Sequence, residues 1–236
     1  MGAFIHEDML NDIDIKMNVK SSNYTFNGYK VPRVTEILGF IDTQDLLGWA
    51  NYMGLKHQKY RDIMNEASSI GTRAHNNIEK YLKGEKVVVQ STAYEGFLLW
   101  WNQITAENKV EVLGQEETLV CEYFGGTYDM LMSINGKVYL VDFKTSNHVG
   151  YKYFMQLAAY RYMLYRCKGI SISGCIVLQL DKNIPGFQEY LLNFENKDEY
   201  DFIESCTRSF FSLVGTYYYV YDSKTRFTDI FNSKER

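Results

Sequence analysis

The dipeptide Asn135-Gly136 constrains this chain more than any other feature, because it stands between two runs of strand-forming residues. Tyr128-Met-Leu-Met precedes it and Val138-Tyr-Leu-Val141 follows it. Asn-Gly in that setting is the strongest short-range signal for a β-hairpin with a two-residue turn. Such a turn makes Ile134 face Lys137, and counting outward sets Asp129 opposite Asp142 and Thr127 opposite Lys144. Opposed residues share a sheet face with Cβ atoms about 5 Å apart, and like charges there destabilise the pair. A cation between the carboxylates removes the conflict. Lys144 follows Asp142 by two, so the period of a strand puts its ammonium on the same face.

Two carboxylates converging from adjacent strands suit Mg²⁺ or Mn²⁺, which take oxygen ligands, keep several waters and complete their shells with phosphate oxygens. Such an ion polarises a phosphoryl group and lowers the pKa of a bound water, while a neighbouring ammonium offsets charge that grows in the transition state. The residues outline a phosphodiester-hydrolysing site, with Asp129 and Asp142 at the metal and Lys144 at the water. For the triplet D-x-K alone, an ordinary hairpin with an exposed Asp129 and an Asp142–Lys144 salt bridge is the plainer alternative.

Four motifs in order resemble the PD-(D/E)XK nuclease superfamily, specifically its RecB-like branch of phage exonucleases, which includes the mitochondrial genome maintenance exonuclease. Gly71-Thr-Arg-Ala-His75 corresponds to a helix carrying a histidine, Gly126-Thr-Tyr-Asp129 to a G-x-x-D strand, Asp142-Phe-Lys-Thr145 to a D-x-K-T strand, and Gln156-Leu-Ala-Ala-Tyr160 to a Q-x-x-x-Y helix. Val31-Pro-Arg-Val-Thr-Glu-Ile-Leu38 is similar to the N-terminal segment of phage members, and the resemblance spans roughly residues 30 to 180. Asp142 stands where many relatives outside this branch carry Glu, which leaves the chemistry unaffected.

The resemblance implies an αβββαβ restriction-endonuclease-like core, an α/β fold with a central mixed sheet flanked by helices and a site where the central strands diverge. It implies His75 and the backbone carbonyl of Phe143 as further metal ligands beside Asp129 and Asp142, with Mg²⁺ or Mn²⁺ as cofactor. A glutamate in the preceding strand also serves the metal in relatives, so Glu116 or Glu117 is a candidate; Glu117 is preferred here, and register decides. Gln156 and Tyr160, four apart on one helix, are placed to hydrogen-bond the scissile phosphate or orient Lys144, and to contact the DNA backbone or a base. Arg73 and Thr145 are candidate phosphate contacts. Glu79, on the same helical stripe as His75, is expected to be a solvated charge.

At 236 residues and 46% hydrophobic, with no Gly/Ser/Pro-rich linker, the chain is expected to form one domain. Residues 1–110 read as mainly helical, 111–195 as the sheet core and 196–236 as a C-terminal helix with an aromatic tail. The expected elements are helices over 43–65, 67–83 and 93–108, strands over 118–122, 126–133 and 137–144, a helix over 153–167, strands over 174–180 and 188–194, and a helix over 197–213. The last core strand is expected beside the first of the three antiparallel strands.

No 18-residue apolar run occurs and the opening Met1-Gly-Ala-Phe-Ile-His-Glu-Asp8 is acidic, which argues against membrane spanning, export or a transit peptide and for a cytoplasmic protein of a bacterial or phage-infected cell. Cys121, Cys167, Cys175 and Cys206 show no C-x-x-C spacing, so no iron–sulfur cluster is expected and the thiols should be reduced and mostly buried.

The net charge of −4 is unlike a nucleic-acid binder, but it is segregated. Residues 136–168 hold Lys137, Lys144, Lys152, Arg161, Arg166 and Lys168 against Asp142 alone, and residues 181–205 are acidic. The basic run, with Lys152 and Arg161, is the expected DNA track. The aromatic run from Phe210 to Tyr221 suits base stacking, and suits core packing better. The expectation is a metal-dependent DNA exonuclease acting on single strands or ends, with a recombination or single-strand-binding protein as partner. The alternatives are a structure-specific or restriction-type endonuclease on the same core, a DNA-end-binding module that does not cut, and an assembly protein.

Overall fold

The computed structural model describes residues 23–41, 43–57, 59–88 and 91–232. The acidic opening from Met1 to Asp8 lies outside them. A short hairpin, β1 (Tyr24–Phe26) and β2 (Tyr29–Val31), leads into α1 (Val34–Leu38), α2 (Thr43–Leu55), α3 (Tyr60–Leu82) and α4 (Thr92–Glu107). Strands β3 (Val110–Val120), β4 (Gly125–Ile134) and β5 (Lys137–Lys144) follow, then α5 (Tyr151–Lys168), β6 (Gly174–Leu180), β7 (Phe187–Asn193) and α6 (Lys197–Asn232). The result is a mixed α/β fold with a five-stranded sheet flanked by helices.

The sheet runs in the order β3-β4-β5-β6-β7, antiparallel except for the parallel pair β5 and β6. The strand after α5 therefore lies beside the D-x-K strand, contrary to the expectation from the sequence that it would lie beside the first strand. A helical crossover returns the chain to the same end of the sheet, so β6 can add in parallel next to the strand it left.

Alternation along the strands feeds two cores. Leu131, Leu140, Cys175 and Val177 pack on one face against α1, α5 and α6, through side chains such as Tyr162, Phe210 and Phe211. Met130, Met132, Val141, Phe143, Ile176 and Leu178 pack on the other face against Ala74 and Ile78 of α3 and Phe97 and Trp100 of α4. Asp142 and Lys144 alternate with Val141 and Phe143, so they project toward the α5 side. Phe210, Phe211, Tyr217 and Tyr218 are buried, which gives the aromatic run a packing role. Cys121, Cys175 and Cys206 are buried and Cys167 is exposed.

Several boundaries differ from expectation for physical reasons. α2 ends at Leu55, with His57 after it at a φ of 56°, and α3 runs unbroken through Glu66 from Tyr60. β3 begins eight residues earlier than Thr118, its alternation being broken by a register shift between Val112 and Gly114. α6 continues past Leu213 to Asn232, and Val214, Tyr217 and Tyr218 of the added length pack into the first core. The β1–β2 hairpin carries the same Asn-Gly turn signal at Asn27-Gly28, with both φ angles positive as a type I′ turn requires. No helix among the described residues is long and apolar enough to cross a membrane.

Candidate active site

The catalytic-candidate hairpin has the register that its Asn-Gly turn dictates. Ile134 pairs with Lys137 and the ladder runs regularly to Met130 and Val141. It stops there, one pair short of Asp129 and Asp142. Asp129 Oδ2 accepts a hydrogen bond from the Phe143 backbone N–H at 2.6 Å, so a carboxylate replaces the backbone partner and the strands part. Asp142 is 1% exposed. Lys144 Nζ lies 2.8 Å from its Oδ1, to which it donates, and 2.7 Å from its Oδ2. Oδ2 is buried and has no hydrogen bond of sound geometry. The Lys144 ammonium is the cation that offsets the cost of burying this oxygen.

Three further ligand atoms converge across the gap. The second core seats Ala74 and Ile78 against the sheet, which brings His75 of the same helix to the strand ends. Its Nε2 is 3.1 Å from the Phe143 carbonyl oxygen, and its Nδ1 is 3.4 Å from Asp129 Oδ1 and 3.6 Å from Glu116 Oε1. His75, Glu116 and Asp129 can each offer an atom lying within 4.8 Å of the others, as a metal site requires.

Glu116 reaches this point through a fault in the sheet. Gln115 pairs with Met130 and Glu117 with Tyr128, but the intervening Glu116 and Asp129 do not pair. Met130 belongs to the second core and Tyr128 to the first, although residues two apart on an uninterrupted strand share a face. Glu116 has a φ of 46°, a left-handed conformation that a glutamate adopts at a cost of about 1–3 kcal/mol.

The local charges hold one another in unusual states. Burial works to lower the His75 pKa, but the Asp129 charge and hydrogen bonds to Asp129 and Glu116 outweigh it and raise the value to about 10. The Phe143 carbonyl, Asp129 and Glu116 oxygens beside the ring are all acceptors, and only the imidazolium can donate from both nitrogens. Burial opposes ionisation of Asp129, yet His75, Lys144 and the Phe143 N–H hold it below the ordinary range. Burial pushes Asp142 up to about 6, with the Asp129 charge adding to the rise and Lys144 opposing it. Burial would lower Lys144, but Asp142 and Asp129 raise it. The lysine is therefore a fixed cation.

A cavity of about 410 Å³ is lined by His75, Asp129 and Lys144 together with Gln156, Tyr160, Tyr24 and Arg33. Gln156 Nε2 donates to Tyr160 Oη at 3.4 Å. A Cβ on Gly126 would come within 2.6 Å of Tyr160 Cε1, so the glycine of G-x-x-D makes room for the tyrosine of Q-x-x-x-Y. Lys144 Nζ lies 5.0 Å from the centre of the Tyr153 ring, an attractive cation–π contact. The hairpin wall is tied down by Tyr24 Oη, 3.3 Å from Thr127 Oγ1.

Other expected site residues are placed differently. Glu117 accepts from Tyr128 Oη at 2.5 Å and pairs with Lys168, so the reversal at Glu116 turns it to the opposite face from His75. Arg73 is exposed on a different side of α3 from His75, along a polar groove with Ser69, Asn76 and Lys80. Thr145 sits under α3, where a Cβ on Gly71 would lie 3.3 Å from its Oγ1. Arg161 does not reach the cavity: its guanidinium is 2.7 Å from Glu204 Oε1 and lies against Phe194 and Tyr200. Glu79 pairs with Lys83.

The expected basic track is likewise neutralised in space. Lys137 pairs with Glu195, Lys144 with Asp142, Arg161 with Glu204, Arg166 with Glu122 and Lys168 with Glu117. Lys152 lies on the first turn of α5. Two of those acids, Glu195 and Glu204, come from the acidic stretch that sequence order had set apart.

Tyr24, Arg33 and Tyr153 are the site neighbours that the sequence reading missed. Asn27-Gly28 was the signal for the first two, since it marks a hairpin just before the Val31-Pro-Arg33 segment. No family model matches the chain, and no curated protein is similar to it.

Proposed function

We propose that the protein is a divalent-metal-dependent deoxyribonuclease of the PD-(D/E)XK type, an exonuclease acting on single-stranded DNA or DNA ends. The observation that carries the reading is the meeting of His75, Glu116 and Asp129 where β4 leaves β5, beside a buried Asp142 oxygen that lacks a hydrogen bond. The hard carboxylates of this donor set suit Mg²⁺ or Mn²⁺, and the imidazole favours the transition metal Mn²⁺ of the two. His75, Glu116 and Asp129 would hold the ion, with Asp142 and the Phe143 carbonyl as adjoining oxygen donors. Bound there, a divalent cation supplies Lewis acidity and a water of lowered pKa.

The chain's own residues account for the rest. Lys144, held charged and oriented by Asp142 and Tyr153, offsets negative charge at an attacked phosphate. Gln156 and Tyr160 face the same cavity with a carboxamide and a hydroxyl that can position phosphate oxygens. Arg33 adds a further cation to the cavity lining. The reading is further supported, at the level of fold class alone, by a mixed five-stranded sheet flanked by helices, in which the strand after α5 adds beside β5.

The test is a time course with end-labelled linear and closed circular DNA, single and double stranded, with Mg²⁺, Mn²⁺ or chelator. Linear single strands are expected to shorten to small products while closed single-stranded circles persist. Circles cut as fast as linear strands would indicate an endonuclease. No cutting of any substrate with either ion would leave a binding module.

A further inference from the structure

Beyond the end of β5 a second groove, of about 520 Å³, opens between Thr145-Ser146-Asn147 and the β6–β7 loop. It is tied to the candidate site by sheet register. Lys144 pairs with Gln179 on β6, and Gln179 pairs with Gln188 on β7. Residues in such a row share a face, and two strand spacings put Gln188 about 10 Å from Lys144 across the sheet.

The walls of the groove are fixed. Gln179 Nε2 donates to the Ser146 carbonyl at 2.7 Å and its Oε1 accepts from Tyr190 Oη at 3.3 Å. Asp181 Oδ1 accepts from the backbone N–H groups of Asn183 and Ile184 at 2.7 and 3.3 Å. The Asp181 N–H donates to the Gly186 carbonyl, and that carbonyl packs against Gly96 of α4 too closely for any Cβ there. The loop is thus preorganised, with Ile184 65% exposed at its tip.

The chemistry of the lining selects a ligand. Asp181 and Lys182 are the charged residues among those that line the groove, and they balance, so nothing there recruits a phosphate chain. Asn147, Asn183 and Gln188 are exposed carboxamides. A carboxamide presents a donor and an acceptor side by side, which matches the edge of a nucleobase. Ile184 supplies apolar surface for the base's face.

We infer that this groove is a nucleobase subsite, holding the base of the nucleotide next to the phosphodiester at Lys144. A base stacked in a duplex has both faces covered and cannot lie on Ile184 while its edge meets the carboxamides, so the subsite takes an unpaired strand. The inference rests on the hydrolase reading of the adjoining cavity, and binding separates the two. In chelator, 2-aminopurine fluorescence, with the abasic trinucleotide added as an unlabelled competitor, should show that a trinucleotide with a central 2-aminopurine binds about tenfold more tightly than the same trinucleotide with a central abasic site, the discrimination that a bidentate amide–base contact supplies. The double variant Asn147→Ala/Gln188→Ala, at two exposed positions, should erase that difference and leave abasic affinity unchanged. With Mn²⁺, an abasic nucleotide beside the cleaved bond should lower kcat/KM in the parent chain only. Equal binding of both trinucleotides, or a preference that survives the double variant, overturns the subsite. Base-dependent binding without cleavage under any divalent ion would support the subsite and remove the hydrolase reading. Cleavage indifferent to both the base and the variant would overturn the subsite alone.

Discussion

Glu116 and Asp129 stand opposite each other at the one position between Gln115/Met130 and Glu117/Tyr128 where β3 and β4 do not pair. Both strands change face across that gap, and both carboxylates turn toward His75. Like charges facing each other across a sheet are unfavourable, and Glu116 also holds a left-handed backbone. The imidazolium meets both acids in the metal-free protein. In the proposed enzyme a divalent ion takes that place.

Glu116→Gln is therefore expected to weaken Mg²⁺ binding by at least the roughly 10- to 100-fold that groups supporting a metal ligand are worth. Glu117→Gln should leave metal affinity unchanged and alter stability by no more than about 1 kcal/mol, since its partner Lys168 is a partly exposed cation. Calorimetric titration of both variants checks this. Loss of affinity in Glu117→Gln with none in Glu116→Gln would reverse the assignment.

Gly126→Ala should destabilise the fold by about 1–3 kcal/mol, the usual cost of overpacking, because the new methyl would lie 2.6 Å from Tyr160 Cε1. Urea denaturation measures it. Tyr160→Leu in the same chain should recover part of the loss, whereas Tyr160→Phe should not, since the collision is with the ring edge. Additive effects of Gly126→Ala and Tyr160→Leu would mean the two residues are not coupled.

The parts of the site legible in the sequence are those governed by local rules. Asn135-Gly136 dictates a turn with two positive φ angles, and the register from Ile134 to Met130 follows from it alone. Strand period likewise puts Asp142 and Lys144 together. The role of Glu116 was not legible, because a face reversal depends on two faults meeting across separate strands. Neither fault has a signature such as glycine at Glu116 or Asp129. The fate of Arg161 was hidden for a related reason: Glu204 lies 43 residues away in sequence, and only the packing of α6 on α5 joins them. Charge counted along a chain cannot see such pairs.

Lys144→Ala should keep metal binding and lose cleavage by several orders of magnitude. The lysine touches Asp142 and Tyr153 and is assigned to phosphate charge, not to the ion, and preorganised charge of this kind is worth roughly 10²–10³ or more in rate. Because Asp142 would be left buried without its partner, the fold must be checked by circular dichroism in the same samples. Lost metal affinity with normal turnover would exchange the roles.

Metal binding should release about one proton per ion near pH 7.5, and affinity should rise with pH. His75 has its pKa raised from 6.5 to about 10: burial works against the rise, and the Asp129 charge and the hydrogen bonds to Asp129 and Glu116 overcome it. A raised folded-state pKa contributes stability that is complete below about 6.5 and is lost as pH climbs through about 10. The chelated protein should therefore melt at a lower temperature at pH 9 than at pH 6.5. An ion ligated by His75 must displace its proton, so Mg²⁺ should stabilise more strongly at the higher pH, with its affinity rising by up to about tenfold per pH unit across the window. Calorimetry in two buffers of different ionisation enthalpy counts the protons. His75→Gln should abolish the release and flatten both pH dependences. Tight Mg²⁺ binding with no proton released from the parent chain would remove His75 from the ligand set.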